Sequence, residues 1–143
     1  MVKIDTANKF RSLLHDTGLK ATSERLSILE VLDKAKKPLS IKEIREKLRS
    51  DAADQATIYR TIESLRKNNV VRTVNFEHDH NHYELVDTNH HHHIICEKCG
   101  RVEDISKCDT TNLEKQVART SGFTKISHHS LEFFGLCKSC ARK

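Results

Sequence analysis

Two cysteine pairs constrain the fold of this chain more than any other sequence feature. Cys96 and Cys99 form one C-x2-C pair, and Cys137 and Cys140 form a second pair near the end of the 143 residues. Each pair can direct two thiolates toward one ion, and two pairs complete the closed tetrahedral site that is typical of structural Zn2+. The sequence therefore predicts a structural zinc site, with a redox-active dithiol pair or free thiols as the alternatives. We interpret the fifth cysteine, Cys108, as a small, partly buried side chain.

The two halves of the chain differ in charge and in histidine content. Residues 1–75 carry 16 Lys+Arg and 10 Asp+Glu, residues 76–143 carry 9 and 10, and nine of the ten histidines lie in the second half. These differences predict two modules with different partners, although a merely solvated basic surface is the alternative explanation of the charge. The chain has no apolar run near the roughly 18 residues of a membrane span. The first residues also lack a secretory signal, so we expect a cytoplasmic protein with reduced thiols.

The first half has the pattern of a winged helix-turn-helix. Apolar spacing and capping residues predict four helices, which begin near residue 8, at Thr22 or Ser23, at the Ser40–Glu43 capping box and near Asp54. Two strands, residues 70–76 and 82–86, follow as a hairpin. The apolar stripes alone would also suit a small helical bundle.

The second half predicts a small α/β unit. We expect strands at residues 90–96, 101–105 and 124–134, with one helix at about residues 110–121. Roughly 50 residues are too few for a self-sufficient core, so metal, dimerisation or both should support this unit. The predicted class is α+β, with a winged-helix domain over residues 1–86, a hinge at residues 87–89, and a dimerisation and metal-binding domain over residues 90–143.

Four consecutive histidines, His90 to His93, precede the first cysteine pair. Alternate residues of a strand share a face, so His91 and His93 should point to one side and His90 and His92 to the other. One strand can thus serve two metal centres, with a solvated histidine run as the alternative.

Two carboxylates are candidates to join His91 and His93. Glu84 lies on the preceding predicted strand, and Asp104 lies just past the first cysteine pair. Nitrogen and oxygen donors without thiolate suit Fe2+, Mn2+ or Zn2+.

The order and spacing of these motifs resemble the ferric uptake regulator family of bacterial metal-dependent repressors over nearly the whole chain. The matching segments are Gly18-Leu19-Lys20-Ala21-Thr22 with Arg25, Ala56-Thr57-Ile58-Tyr59-Arg60, Tyr83-Glu84-Leu85, His90 to Gly100, Gly122-Phe123, His128-His129 and the closing Cys-x2-Cys. The resemblance implies an N-terminal domain that binds operator DNA and a C-terminal domain that forms a homodimer. It also implies a regulatory metal between them that sets the angle of the two DNA-binding heads.

The resemblance also implies ligands for each metal. It assigns structural Zn2+ to Cys96, Cys99, Cys137 and Cys140. It assigns regulatory Fe2+ or Mn2+, with Zn2+ as the alternative, to Glu84, His91, His93 and Asp104. The histidines of a further site, which some members possess, correspond to His90, His92 and His129.

Two positions depart from the family pattern. Lys37 stands where relatives usually place a histidine ligand, and His82 is the candidate to replace it in the regulatory site. The alternative is that His78, His80 and His82 only decorate the surface of the wing. Thr111 lies near the position where the further site takes a glutamate. Either Glu114, about one helical turn away, supplies that carboxylate, or the further site is absent.

The expected DNA contacts lie in the first half. On the fourth helix, the side chains that can reach base edges are Thr57, Tyr59 and Arg60. Lys20 resembles the family residue that enters an A·T-rich minor groove. The side chains expected at phosphates are Arg25, Arg66, Lys67 and Arg72. The alternatives are a Tyr59 packed on its helix and a merely solvated Arg60.

Together these features predict a repressor that binds palindromic A·T-rich operators when Fe2+ or Mn2+ occupies the hinge site, and that controls metal homeostasis or peroxide-stress genes. Asp104 and the chain from His128 onward resemble the peroxide-sensing branch of the family. The alternatives are a zinc sensor and a zinc-binding interaction or metal-storage protein. We expect no enzymatic activity, because the sequence has no H-E-x-x-H motif, nucleophile elbow or phosphate-cradling glycine loop.

Overall fold

The computed structural model of the chain describes residues 6–49, 53–77, 79–86 and 90–142. The chain divides into two compact units, residues 1–86 and residues 87–143. The predicted hinge at residues 87–89 lies outside the described residues. Each unit combines helices with a three-stranded sheet, which confirms the predicted α+β class. No helix in the described ranges is long and apolar enough to cross a membrane.

The described part of the N-terminal unit contains four helices and a small antiparallel sheet. In chain order the elements are α1 (Thr6–Asp16), α2 (Ser23–Ala35), β1 (Leu39–Ser40), α3 (Ile41–Lys47), α4 (Gln55–Lys67), β2 (Val71–Val74) and β3 (His82–Leu85). The strand order is β1-β3-β2, so β3 pairs with both neighbours. The four predicted helices and the hairpin are confirmed. The sequence did not predict β1, because two residues are too few to show the alternation of a strand.

Polar side chains fix where α3 and α4 begin. The predicted capping box is present: the Glu43 N–H donates to the Ser40 hydroxyl at 3.2 Å, and the Ser40 N–H donates to the Glu43 carboxylate at 2.8 Å. At α4 the Thr57 N–H donates to the Asp54 carboxylate at 2.7 Å, and this bond lowers the pKa of Asp54. These contacts satisfy N–H groups that lack a partner within the helix.

Apolar helix faces form the core of the N-terminal unit. The fully buried side chains include Phe10, Leu14, Ile28, Leu29, Ile44, Ile58, Ile62 and Leu65. On α4, Ile58, Ile62 and Leu65 recur at helical spacing and turn one face inward. The other face of α4 is therefore presented to solvent.

The C-terminal unit is a three-stranded sheet with one longer helix. Its described elements are β4 (His92–Cys96), β5 (Val102–Ile105), α5 (Thr111–Ser121), β6 (Glu132–Gly135) and α6 (Lys138–Ala141). The central strand β4 is antiparallel to β5 and parallel to β6.

The last predicted strand is shorter than expected. It begins at Glu132 instead of residue 124, and the residues before it are irregular. In this segment the ring of His129 packs against the rings of His90 and His92. The segment therefore does not extend the strand along the edge of the sheet. The four-residue helix α6 was not predicted either, since it is too short for a periodic pattern.

The C-terminal unit buries little apolar surface. Among its described hydrophobic residues, Ile95 and Cys96 are buried, whereas α5 has no buried residue. Leu113 and Val117 on α5 are 51% and 43% exposed. A unit with so small a core depends on metal ions or on a partner for its stability.

Candidate metal centres and nucleic-acid interface

The four paired cysteines converge in the C-terminal unit. Cys96 ends β4, Cys99 lies in the turn that follows, Cys137 caps the start of α6 and Cys140 lies within that helix. Their sulfur atoms all lie within 4.8 Å of one another, and those of Cys99 and Cys137 are 3.8 Å apart. The structure thus brings together the four residues that the sequence predicts as zinc ligands. We call this set the four-cysteine cluster.

Backbone hydrogen bonds shape both turns of the four-cysteine cluster. The Gly100 N–H donates to the Cys96 carbonyl at 2.8 Å, and the Cys140 N–H donates to the Cys137 carbonyl at 3.0 Å. Gly100 has a φ of +71°, a left-handed conformation that favours glycine. The backbone therefore positions the sulfur atoms, as a preformed metal site requires.

The thiols of the four-cysteine cluster ionise unequally. Backbone N–H groups, chiefly that of Cys137 at 3.4 Å, lower the pKa of Cys96 to about 6. A hydrogen bond with the Cys137 sulfur raises the pKa of Cys140 to about 12. Four thiolates so close together require a cation, and a coordinated metal ion deprotonates its thiols. The cluster therefore fits a divalent, thiophilic ion such as Zn2+.

His93 lies beside two other predicted ligands of the regulatory site. The rings of His91 and His93 have centroids 5.1 Å apart, as the alternation of a strand predicts. The β4–β5 register pairs His93 with Asp104, whose Oδ1 lies 3.6 Å from the His93 Nε2. The His91 ring and the Asp104 carboxylate thus each lie close to His93.

Glu84, the other predicted regulatory ligand, lies on β3 of the N-terminal unit. Its side chain is buried, and its carboxylate forms an ion pair with Arg72, the residue opposite it on β2, at 2.6 Å. The register of the hairpin thus gives the Arg72 guanidinium a partner within the chain, and its expected contact with a DNA phosphate stays a prediction. The assignment of Glu84 to a metal stays a prediction.

The two positions that depart from the family pattern lie in different environments. Lys37 is exposed in the turn before β1. His82 is buried, with its ring 4.6 Å from that of Phe76 and its Nε2 3.8 Å from the Glu43 carboxylate. These contacts lie within the N-terminal unit, so the role of His82 as a replacement ligand stays a prediction.

A second histidine cluster lies on the other side of β4. The Nε2 atoms of His90, His92 and His129 are 2.9, 2.9 and 3.0 Å apart, and the Cys108 sulfur lies within 4.8 Å of the ligand atoms of all three. Burial and the neighbouring imidazoles lower the pKa of His92. The place of Cys108 in this cluster was not predicted, because a cysteine outside a C-x2-C pair gives no spacing signal. We call these four residues the mixed cluster.

Glu114, the predicted carboxylate of this further site, contacts only part of the mixed cluster. Its Oε1 lies 2.8 Å from the Nδ1 of His129, the ring nitrogen that faces away from the other histidines. Within the described ranges, the ligand atoms at this site that lie within 4.8 Å of one another belong to the three histidines and Cys108. The Glu114 carboxylate is not in this set.

The N-terminal end of α4 exposes the side chains expected to contact bases. Tyr59 is 52% exposed, Arg60 is exposed, and Thr57 is half-buried with its Oγ1 3.5 Å from an Arg60 guanidinium nitrogen. Farther along α4, Arg66 forms an ion pair with Glu63 at 2.9 Å, which neutralises part of the positive charge there. The side chains that are free to contact bases therefore lie in the first turns of α4.

Arg25 connects two of the expected DNA-binding elements. One guanidinium nitrogen donates to the Lys20 carbonyl at 2.8 Å, and the other donates to the Ser64 hydroxyl of α4 at 3.4 Å. The side chain of Lys20 itself is exposed. These two hydrogen bonds of Arg25 were not predicted from the sequence. The expected contact of Arg25 with a DNA phosphate stays a prediction.

The chain is similar to known proteins over most of its length. The family whose pattern it matches is described as the ferric uptake regulator family, over residues 16–134. A ferric uptake regulation protein of Legionella pneumophila is 33% identical over 130 residues, which cover 89% of this chain and 95% of the relative. A peroxide operon regulator of Bacillus subtilis is 30% identical over 132 residues, covering 91% and 90%. The crystal structure of the Vibrio cholerae ferric uptake regulator matches with a TM-score of 0.75 and 31% identity, covering 90% of this chain and 99% of that one.

The variant Cys96→Ser is expected to unfold the C-terminal unit. A structural zinc ion contributes about 10–16 kcal/mol in small zinc domains, as much as the whole stability of a typical domain at about 5–15 kcal/mol. In protein supplied with one equivalent of zinc per chain, amide hydrogen exchange should show loss of protection in β4 while α4 stays protected. Cys108→Ser, a cysteine variant outside the four-cysteine cluster, should keep β4 protected. Unchanged protection of β4 in Cys96→Ser would contradict the structural role of the cluster.

Proposed function

This chain belongs to the ferric uptake regulator family, and we propose on that basis that it acts as a homodimeric, metal-dependent transcriptional repressor. In this proposal α4 binds palindromic A·T-rich operator DNA when Fe2+ or Mn2+ occupies a regulatory site that includes His91, His93 and Asp104. The repressor acts in the cytoplasm on genes of metal homeostasis or peroxide stress and has no enzymatic activity.

The observation that carries the proposal is the contrast between two donor sets in one small unit. His93 lies near the imidazole of His91 and near the carboxylate of Asp104, and such nitrogen and oxygen donors suit Fe2+ or Mn2+. The four-cysteine cluster offers only thiols, which select Zn2+ and leave no open position. We therefore assign a permanent structural Zn2+ to the cysteines and an exchangeable, regulatory ion to the histidine and carboxylate set.

Two N-terminal residues complete the proposed regulatory site. The family resemblance assigns Glu84 as a further carboxylate ligand, and His82 is the candidate to replace the histidine that is absent at Lys37. Both side chains are buried and belong to the same strand, β3. Loss of Mn2+ affinity in Glu84→Gln, with the zinc content unchanged, is the expected mark of a ligand at this position.

The exposed end of α4 supports the DNA-binding part of the proposal. Helix-turn-helix proteins place the N-terminal residues of the recognition helix against base edges, where Tyr59 and Arg60 are exposed here. The Arg60 guanidinium can bind guanine through two hydrogen bonds, and the Tyr59 ring can pack on a thymine methyl. Lys20 is exposed for a narrow, A·T-rich minor groove.

Exposed apolar side chains of the C-terminal unit support the homodimer. Leu113 and Val117 lie four residues apart on α5, so they share one helix face, and Phe133 on β6 is also exposed. An exposed apolar surface of this kind is typical of a protein interface. A dimer would present two recognition helices about 34 Å apart, one turn of DNA.

Metal dependence follows from linkage between metal and DNA binding. An ion that binds more tightly to the DNA-binding form shifts the population toward that form. The metal-free protein should therefore keep a salt-dependent attraction to any duplex, because its basic side chains remain, but lose its preference for the operator.

Peroxide sensing is a second candidate function, favoured by Asp104 and by the similarity to the peroxide operon regulator. In this hypothesis the O–O bond of hydrogen peroxide breaks in the iron-loaded protein, one oxygen replaces the hydrogen of an imidazole C–H of His91 or His93, and the other oxygen leaves as water. Mass spectrometry of the β4 peptide should then show the mass of one added oxygen, and only when iron and peroxide are both present. An unmodified peptide after complete loss of operator binding would exclude this route.

Arg60→Ala is expected to weaken operator binding by about 1–3 kcal/mol, roughly 5- to 150-fold, because a bidentate contact to guanine is lost. Fluorescence anisotropy with a labelled operator duplex and with a scrambled duplex measures both affinity and preference. Arg119→Ala, which removes one exposed positive charge from the C-terminal unit, is the matched control. Equal operator affinity in the two variants would refute the role of Arg60 in reading bases.

His93→Ala is expected to abolish the Mn2+-dependent gain in operator affinity, since it removes the donor that lies close to both His91 and Asp104. The zinc content should stay at the wild-type value, which separates this effect from damage to the four-cysteine cluster. His128→Ala, at an exposed position, is the control and should respond to Mn2+ normally. A normal Mn2+ response in His93→Ala would place the regulatory ion elsewhere.

A further inference from the structure

The geometry of the mixed cluster is that of an ion-binding site. The ring centroids of its three histidines are 4.5, 4.5 and 4.9 Å apart, whereas their Nε2 atoms are only 2.9 to 3.0 Å apart. The rings therefore converge through their Nε2 ends. Each neutral imidazole nitrogen offers one proton or one lone pair along the ring axis, so three converging nitrogens do not satisfy one another well. A cation at their centre satisfies all three.

The separations also fit the dimensions of a tetrahedral ion. With Zn–N bonds of about 2.0–2.1 Å, two nitrogens on one ion are about 3.3 Å apart, a few tenths of an ångström more than is seen here. With a Zn–S bond of about 2.3 Å, a sulfur and a nitrogen on the same ion are about 3.6 Å apart. The Cys108 sulfur lies within 4.8 Å of a ring nitrogen of each histidine, so an adjustment of its side chain completes the tetrahedron.

Glu114 has a different role in this geometry. Its carboxylate accepts a hydrogen bond from the Thr110 hydroxyl at 3.0 Å and contacts the Nδ1 of His129 at 2.8 Å. A carboxylate on the outer nitrogen fixes the proton there and leaves the lone pair on the inner Nε2, which strengthens the imidazole as a ligand. Glu114 is thus a positioning residue, and the fourth donor comes from elsewhere.

We propose that His90, His92, His129 and Cys108 form a third metal site, a His3Cys site for Zn2+ in which the Cys108 thiolate is the fourth ligand. The thiolate replaces the carboxylate donor that we expected from Glu114. It makes the site softer than the set around His93, so it selects Zn2+ over Mn2+ and Fe2+. This inference concerns the C-terminal unit alone and does not depend on the proposed binding of operator DNA.

The thiolate ligand can be detected with Co2+ as the probe, in the full chain with zinc already in the four-cysteine cluster. A thiolate on Co2+ gives a near-ultraviolet charge-transfer band, whereas the donors around His93 include no sulfur. Wild-type protein should show this band on addition of Co2+, and Cys108→Ser should lose it together with at least a tenfold loss of affinity. The zinc content after titration, at one ion per chain, verifies that Co2+ has not entered the four-cysteine cluster.

Two further variants separate ligands from positioning residues. Glu114→Gln should keep the band but bind Co2+ roughly 10- to 100-fold more weakly, the range expected when the residue that orients a histidine ligand is lost. His129→Ala should weaken binding more, and His128→Ala, its exposed neighbour, should behave like the wild type. A band of normal intensity in Cys108→Ser, or Co2+ binding to the wild type without a band, would overturn the proposal.

The alkylation rate of Cys108 in the wild-type protein is an independent test, because it does not require that any variant folds correctly. Zn2+ in excess of the first equivalent should slow alkylation of Cys108 by iodoacetamide at least tenfold, as followed by mass spectrometry of its peptide. An unchanged alkylation rate would also overturn the proposal. A normal Mn2+ response of operator binding in His93→Ala, with Cys108 still protected by Zn2+, would overturn the regulatory site alone. Loss of that response with Cys108 left unprotected would overturn the third site alone.

Discussion

The C-terminal unit depends on the convergence of its four paired cysteines. Its described part buries few hydrophobic side chains, and α5 buries none. Hydrophobic contact alone therefore contributes little to joining the end of β4 with α6, which are far apart in the chain. The pairing of β4 with β6 sets Cys96 beside Gly135, and zinc bound by the four sulfur atoms would hold this end of the strand in place. The histidines at the other end of β4 would then keep their positions as well. The proposed regulatory site and the mixed cluster thus both depend on the structural zinc site of the four-cysteine cluster.

The pleat of β4 then separates the remaining donors by chemistry. His93 lies beside Asp104 and near the ring of His91, whereas the Nε2 atoms of His90 and His92 converge with that of His129. On one side the partners are oxygen donors, and on the other side a cysteine is close. Because metal preference follows donor type, one short strand can contribute to two sites of different selectivity without any change in the fold.

Much of this arrangement was predictable from local sequence, and the exceptions have physical reasons. The capping box at Ser40, the helical spacing of α4 and the alternation of the histidines are short-range signals, and the structure has all three. The place of Cys108 was not predictable, because it lies in an irregular segment. Glu114 lies on the predicted helix α5, but its contact with His129 joins distant chain positions, and short-range patterns do not report such a contact. The pairing of Arg72 with Glu84 depends on the register of a hairpin, and this register is fixed by the buried face of the sheet.

The hydrogen bonds of Arg25 have a consequence for the entropy of recognition. Its guanidinium holds the loop of Lys20 and the helix α4 together within the free protein. A loop that is already ordered loses little conformational freedom when it enters a groove, so more of the contact energy remains as affinity. A lysine at this position would keep the positive charge. Its single ammonium nitrogen would not donate to both the Lys20 carbonyl and the Ser64 hydroxyl as the two guanidinium nitrogens do. The value of Arg25 therefore lies in rigidity as much as in charge.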